Sequence, residues 1–352
     1  MTVYIFNIFY ILILKCYVSI FVKNKNQDRI YIAFAGFWIF LTLILRDESI
    51  GSDLRAYLRR YTVLGNTVWE KLPQVSSELE FELGYSVLNK LLYCLFPDER
   101  TIIYVTAAVF ILGFCIWIYR KSEDACFSFL IFICLGLYGG CLQIIRQMIA
   151  TIITMMSYKY LVEGNLKKFV LMTLAAALFH TSALCILPMY FFRYIKINLR
   201  LVFIWITGSL ICIWGGIKIV SYISYKETYA KMIAKGSNGE WGLVLINLSI
   251  IFLMFLVYYR KNNLEERLFL HYEITFLFLS ILTFVLPMVS RISGYYKTIL
   301  VISIPHTVKR IKNKYTRVIV ELVIILVFLF YYFFIICRAD AADLIPYRFM
   351  WS

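Results

Sequence analysis

Four cationic or titratable residues stand in otherwise apolar surroundings: Arg46, Arg146, His180 and Arg291. Arg146 lies within Ile144-Ile145-Arg146-Gln147-Met148-Ile149-Ala150, so an arginine and a glutamine, Gln147, sit together at one end of an apolar run. Arg291 opens Arg291-Ile292-Ser293-Gly294-Tyr295-Tyr296, which places Tyr295 one helical turn on and on the same face. Guanidinium groups bind phosphate bidentately, and several converging on one cavity imply an anionic ligand of the phosphate or diphosphate type. The competing readings are structural: an arginine snorkelling to lipid headgroups, and tyrosines forming an interfacial aromatic belt.

The carboxylates nearest those cations are Asp47 and Asp53, in a stretch from Arg46 to Tyr61 that holds four arginines and three carboxylates. Charge at a membrane boundary is costly unless it faces water, a partner or a ligand, so this stretch reads as one wall of a site. A carboxylate can deprotonate an attacking hydroxyl, and so can His180, whose ordinary pKa lies near neutrality. Asp53 has a second reading, as the cap of the helix that follows it. No Walker sequence, glycine-rich dinucleotide loop, HExxH or Ser-His-Asp signature is present, which leaves nucleotide-driven cytosolic chemistry unsupported.

The elements that must position these residues are membrane helices. Of 352 residues, 62% are hydrophobic and only 16% charged, too few to cover a soluble globular surface. Apolar runs fall at 3–22, 30–45, 101–119, 125–142, 144–161, 169–192, 199–220, 242–259, 270–288, 292–306 and 317–337. The first lacks a basic leading region and a small-residue cleavage site, so it is expected to remain as a transmembrane helix. The net charge of +15 is dealt in small Lys/Arg clusters between runs, as membrane topology requires, and not as a nucleic-acid-binding surface. The nine cysteines sit mostly inside apolar runs without CxxC spacing, as small buried hydrophobes.

Lys23, Lys25 and Arg29, then Arg120 and Lys121, then Lys167 and Lys168 mark one side as cytoplasmic, with the N-terminus outside. Strict alternation then puts three later basic clusters outside, and one parity change repairs all three. Its natural place is 169–192, where Phe179-His180-Thr181-Ser182 forms a polar break followed by Pro188. A broken, re-entrant pair would put His180 at the apex of a cavity, because interrupted backbone at that depth must be buried or line wet space. The alternative is a single tilted helix with a core histidine. The expected fold is therefore one all-α polytopic membrane domain over 1–352, of about ten transmembrane helices plus one broken or re-entrant pair. Its largest external loop is 46–100, which holds nine of the 21 carboxylates and two surface helices over 53–64 and 83–96.

Taken in order, Arg46…Gly51-Ser52-Asp53…Tyr57, Phe81-Glu82-Leu83-Gly84-Tyr85, Ile145-Arg146-Gln147-Met148-Ile149-Ala150, Phe179-His180-Thr181-Ser182-Ala183-Leu184, Arg291-Ile292-Ser293-Gly294-Tyr295-Tyr296 and Ile345-Pro346-Tyr347 resemble the EpsG family. These are bacterial exopolysaccharide proteins similar to Wzy-type O-antigen and capsule polymerases. Ser52 departs from the pattern, standing where a threonine is expected. The resemblance implies a glycosyltransferase of the GT-C type, acting on the outer face of the bacterial cytoplasmic membrane. Its donor and acceptor would be undecaprenyl-diphosphate-linked glycans, and its partners a flippase and a chain-length regulator. No metal or cofactor is implied. Under this resemblance Arg46, Arg146 and Arg291 face the diphosphate, with Gln147 beside them; Asp53 or His180 serves as base or orienter; and Tyr57, Tyr295 and Tyr347 lie against sugar rings. Two other classes remain open: a transporter or flippase of lipid-linked oligosaccharide, and a membrane acyltransferase using His180.

Overall fold

The structure, a computed structural model, describes residues 2–23, 26–197, 240–258, 263–284, 286–339 and 344–351, with isolated positions at 204, 207, 208 and 211. The expected run 199–220, the loop 221–240 and the pair Arg260 and Lys261 lie wholly or largely outside the described residues. What is described is all-α. In order come α1 (Thr2–Phe21), α2 (Gln27–Ile44), α3 (Leu54–Asn66), α4 (Leu72–Glu78), α5 (Leu83–Leu95), α6 (Thr101–Lys121), α7 (Ala125–Cys134) and α8 (Leu137–Gln143). They are followed by α9 (Ile145–Glu163), α10 (Leu166–Ala177), α11 (Met189–Phe192), α12 (Glu240–Tyr258), α13 (Leu264–Leu282), α14 (Val289–Lys297), α15 (Leu300–Lys309) and α16 (Lys314–Phe330), the last running into a π-helical turn over Tyr331–Ile336.

Five of these segments are long and apolar enough to cross a membrane: Thr2–Phe21, Gln27–Ile44, Thr101–Lys121, Trp241–Tyr258 and Lys314–Ile336. A sixth arises if α7 and α8, bent by 56° at Leu135–Gly136, count as one. The core sits at α7, every residue of which is buried, as expected of a helix that is apolar all round. Around it the helices show one buried face and one lipid-type face. On α1, Tyr4, Ile8, Ile11 and Val18 are buried at heptad-like spacing, while Phe9, Ile13 and Tyr17 are exposed. Between α1 and α2, Trp38 Nε1 donates to Asn7 Oδ1 at 2.9 Å.

The 169–192 region is broken, the first of the two readings that the sequence left open. At Leu178–His180 the helix ends, and the chain returns through a 3-10 segment (Thr181–Ile186) and α11. Tyr190 Oη donates to the Gly164 carbonyl at 2.6 Å, and its ring centroid lies 5.9 Å from that of Phe169 at the start of α10. The segment therefore doubles back to the level at which it began, with His180 at its apex, and a single tilted helix is excluded.

Two ends of the bundle follow from α6, whose 21 residues span about 30 Å. At its start Arg100 donates to the carbonyls of Ile44 and Arg46. At its finish Lys121 pairs with Glu265 at 2.8 Å. The first end carries residues 46–53, the surface helices α3 and α5, the His180 apex and the segment 344–351. The second carries the basic connections. Sequence periodicity placed α3 and α5 closely, and they pack together: Lys90 Nζ donates to the Gly65 carbonyl at 2.8 Å.

Candidate functional site

Glu82 is the centre of the first end. It occupies the N-cap position of α5 but does not cap it. Its Oε2 accepts from Arg146 Nη1 at 2.6 Å, and its Oε1 lies 2.9 Å from His180 Nδ1 and accepts from the Thr181 N–H at 3.2 Å. Burial pushes the Glu82 carboxyl up, but the His180 hydrogen bond and the Arg146 charge overcome it and hold the group down to about 2. An ionised carboxylate only accepts, so the proton of a neutral His180 belongs on Nδ1, and Nε2 is left as the basic nitrogen.

The local sequence explains why Glu82 reaches both partners. Helix α4 ends in a Schellman turn: the Phe81 N–H bonds to the Ser76 carbonyl at 2.8 Å and the Glu80 N–H to that of Ser77 at 3.1 Å. Glu80 takes the left-handed position usually given to glycine, with φ of 56°. Its carbonyl is thereby turned onto Arg146 Nη1, at 2.8 Å. Two residues after Glu82, Gly84 lets α5 approach the hairpin apex, since a Cβ there would stand 2.6 Å from the Leu178 carbonyl oxygen. The Glu-x-Gly spacing thus delivers the carboxylate and removes the side chain that would hold His180 away from it.

Arg146 begins α9 and is held on three sides. Its guanidinium lies 4.5 Å from the centre of the Phe81 ring, which also carries Arg60 at 4.8 Å. Phe81 stacks in turn on Tyr57, at 5.8 Å between centroids. The buried Nε–H of Arg146 has no acceptor. Beside these groups lies a cavity of about 180 Å³ lined by Asp53, Ala56, Tyr57, Arg60 and Arg146. Burial raises the Tyr57 phenol, and the Arg146 charge opposes the rise. Asp53 stands at the N-cap position of α3 without making a cap hydrogen bond; its Oδ1 accepts from Ser52 Oγ at 3.4 Å, and the residue lines the cavity. Two arginines and one carboxylate thus line one pocket, and guanidinium groups are the usual protein partners of phosphate-type anions.

The remaining expected residues divide into those near this cavity and those apart from it. Tyr295 Oη lies 3.2 Å from Ser182 Oγ and so joins α14 to the segment after His180. Gln147 Nε2 donates to the Arg291 carbonyl at 2.6 Å, making Gln147 a tie between α9 and α14. The Arg291 side chain is exposed and does not line the cavity. Arg46 and Tyr347 serve a different structure. Arg46 is 1% exposed, and burial lowers its guanidinium to about 10. Its Nη1 donates to the Leu43 carbonyl at 3.1 Å, and its backbone forms an antiparallel bridge with Phe349. Tyr347 Oη donates to the Thr42 carbonyl at 2.6 Å. Asp47 is turned onto Ser49, whose hydroxyl and N–H hold its carboxyl below the usual range. The expected convergence of Arg46, Arg146 and Arg291 on one pocket is therefore replaced by that of Arg60 and Arg146.

A model of the EpsG family matches residues 29–349. The chain belongs to the EpsG family. All the residues of the Glu82 cluster and its cavity fall inside the stretch matched to EpsG. No curated protein and no solved structure matches the chain. Within this EpsG chain the residues that sequence reasoning passed over are Glu82 and Arg60. The signal for Glu82 was present in Phe81-Glu82-Leu83-Gly84-Tyr85, where a carboxylate adjoins a glycine at a helix start. Arg60 carried no such signal, being one of several cations on α3.

Proposed function

We propose that this EpsG-family membrane protein is a polysaccharide polymerase. In this reading it joins undecaprenyl-diphosphate-linked repeat units on the outer face of the bacterial cytoplasmic membrane. The observation that carries the reading is Arg146: oriented by Glu82 and Glu80, backed by Phe81, and left with an unused buried donor beside the cavity shared with Arg60. In the reaction an acceptor sugar hydroxyl attacks the anomeric carbon of the donor. The new glycosidic bond forms as the bond to the diphosphate oxygen breaks. Charge grows on the departing diphosphate, and Arg146 and Arg60 are placed to stabilise it. His180 takes the hydroxyl proton at Nε2, with Glu82 holding the ring and stabilising the imidazolium that results. Asp53 and Tyr57 line the cavity as sugar-hydroxyl partners. Ten spans, the re-entrant pair, an outside N-terminus and a flippase and chain-length regulator as partners belong to the same proposal, supported by the distribution of Lys and Arg.

The test is the lipid-linked and surface glycan profile of a strain lacking the protein, complemented with wild type or Arg146→Ala at matched membrane levels. Single lipid-linked repeats accumulating on the outer face, with long chains absent, are expected for the variant. Repeats retained on the cytoplasmic side would instead assign a flippase, and normal chain length with altered decoration an acyltransferase.

A further inference from the structure

Five buried polar residues outside the proposed reaction keep hydrogen-bonding atoms without a partner: Glu266 Oε2, His306 Nε2, Ser303 Oγ, both carboxyl oxygens of Glu273 and both amide atoms of Asn247. Ser303, Glu273 and Asn247 are fully buried. Contacts at two levels fix the faces on which they stand. At the second end, Tyr258 Oη of α12 lies 2.6 Å from Thr307 Oγ1 of α15, and Glu266 of α13 faces His306 of α15 at 3.6 Å. Deeper in the bundle, Leu243 of α12 and Phe276 of α13 line one cavity, of about 360 Å³.

Each helix carries one of the fully buried residues on the face so fixed. On α12, Asn247 follows Leu243 by four residues and precedes Tyr258 by eleven, both whole turns. On α13, Glu273 precedes Phe276 by three residues and follows Phe269 by four, and the Phe269 ring centroid is 5.3 Å from that of His306. On α15, Ser303 is one turn in from His306 and Thr307. Counted as helix rise from the His306 level, Ser303 stands about 4.5 Å deep, Glu273 about 10.5 Å and Asn247 about 16.5 Å. One water bridges steps of about 5–6 Å with two hydrogen bonds.

No cation among the described residues meets the Glu273 carboxyl. Of the helices packed on α13, α11 and the buried stripe of α12 carry none. On α14, Arg291 is exposed and Lys297 Nζ donates to the Leu135 carbonyl at 3.0 Å. At the end of α15, His306 and Arg310 are turned to Glu123 and Glu266, and Lys309 to Asp124. On α13 itself, Arg267 and His271 reach the carbonyls of Arg193 and Ile195, and Glu265 pairs with Lys121. An unpaired ionised carboxylate in an apolar interior is so costly that the group takes a proton instead, and an acidic side chain among membrane helices marks an ion or proton route. A hydroxyl or an imidazole accepts one proton and releases another, whereas the Asn247 amide holds hydrogen bonds without handing a proton on.

We propose that Glu273 is a proton-binding site in the bundle interior, exchanging with the second end through bridging water, Ser303 and the His306–Glu266 pair, while Asn247 closes the route on the cavity side. On release, the carboxyl proton passes to the adjoining water and on to the Ser303 hydroxyl, which gives up its own toward His306 and Glu266. Uptake retraces the same bonds, so nothing but the proton is exchanged. The carboxylate left behind is a bare charge between α12 and α13, and the packing of those helices therefore depends on the proton. None of this rests on the polymerase reading.

The experiment uses the purified full-length protein in phosphatidylcholine nanodiscs at neutral pH, with infrared spectroscopy following the C=O stretch of a protonated carboxyl after transfer to D2O. A band that shifts on deuteration and is missing from Glu273→Gln is expected. Ser303→Ala should slow its deuteration by about tenfold, the rate equivalent of one hydrogen bond lost. Asn247→Leu should move the band without slowing the exchange. A band that survives intact in Glu273→Gln overturns the proton site. Should that variant not fold, wild type treated with dicyclohexylcarbodiimide, which adds to protonated carboxyls in apolar surroundings, decides the matter by mass spectrometry, and an unmodified Glu273 overturns the site. Equal exchange in wild type and Ser303→Ala, or slowing by Asn247→Leu as large as that by Ser303→Ala, overturns the route from the second end.

Discussion

Both ends of the bundle hold a histidine, a glutamate and an arginine in contact, and they use them differently. At the second end, His306 Nδ1 lies 2.8 Å from Glu123, its Nε2 faces Glu266 at 3.6 Å, and Arg310 reaches both carboxylates at 3.4 Å. Lys309 pairs with Asp124, and Lys121 with Glu265. Both histidine nitrogens are directed at carboxylates, and the cluster ties the starts of α7 and α13 to the end of α15. At the first end one carboxylate, Glu82, serves both His180 and Arg146, and Arg146 lines a cavity together with Arg60 and Asp53. The N-caps follow the contrast in part, Asn26 at the second end making no cap hydrogen bond. Asp124, Asn165, Asn263 and Asn313 each accept a backbone N–H at the start of their helices. Asp53, Glu82 and His180 hold the same position at the first end and make no cap. A residue withheld from capping costs its helix about 1 kcal/mol. That cost is intelligible where the side chain is needed for a ligand.

The largest effects should separate the two ends outright. In the proposed reaction Arg146 stabilises the departing diphosphate, so Arg146→Ala is expected to lower polymerisation by about 10²–10³-fold, the usual loss for such a group. Arg310→Ala removes a tie between helices, so it should lower the amount of folded protein while leaving polymer length per folded molecule unchanged. The pair is read from glycan profiles normalised to membrane protein level. A variant at position 310 with full protein levels and short chains would break the distinction.

Glu82→Gln sharpens it. The amide keeps a hydrogen-bond partner for Arg146 or His180 but loses the charge that sustains both. A loss of about 10- to 100-fold in rate is expected, of the size seen when an orienting partner is removed. The pH dependence has a definite sign. The folded pKa of about 2 lies below the ordinary 4.5, so the stability Glu82 contributes is complete above about pH 4.5 and is lost as the pH falls through 2. Wild type and Glu82→Gln should therefore differ in unfolding temperature at pH 6, and the difference should close on acidification.

Gly84→Ala tests the positioning of the same carboxylate without touching its chemistry. The added methyl meets a backbone carbonyl and not a flexible side chain, so α5 or the His180 apex must move. A destabilisation of about 1–3 kcal/mol is expected, as for overpacking, measured by thermal unfolding. It should be accompanied by a partial loss of polymer.

What could be read in advance followed from local pattern and charge. The all-α fold, the surface helices near 53–64 and 83–96, and the doubling back at Phe179–Ser182 came from periodicity, composition and the placement of Lys and Arg. Helix number did not follow so directly, because an apolar run does not say whether it is one straight helix. The run 125–142 is the bent pair α7–α8, and the runs 270–288 and 292–306 are divided among α13, α14 and α15. At the site, Arg146 and His180 were identifiable as polar groups out of place in their surroundings, Asp53 as a carboxylate close to the cations, and Tyr57 only through the resemblance to the EpsG family. Arg46 was out of place for another reason: its backbone pairs with residue 349, some 300 positions away, which no local pattern reports. Glu82 escaped because nine carboxylates share its loop, and only tertiary contact singles it out.

The smallest expected effect has the opposite sign. Glu80 holds a left-handed backbone conformation that costs a residue with a Cβ about 1–2 kcal/mol, and its carboxylate is not among the groups that hold Arg146. The part of Glu80 that matters to the site is its carbonyl oxygen, and glycine supplies that equally. Glu80→Gly should therefore relieve strain in the folded state, partly offset by the greater freedom of the unfolded chain, for a net stabilisation of about 0.5–1 kcal/mol. Polymer length should be unchanged. Thermal unfolding beside the glycan profile reads both quantities, and a glycine variant that is more stable yet makes short chains would mean that the Glu80 side chain, and not only its backbone, belongs to the site. At the second end, Asp124→Gly removes a cap of the ordinary kind and should destabilise by about 0.3 kcal/mol, glycine being itself a tolerated N-cap. Opposite signs for two acidic-to-glycine changes would place the helix starts of the two ends under different constraints: one set for stability, the other for the direction in which a carbonyl and a carboxylate point.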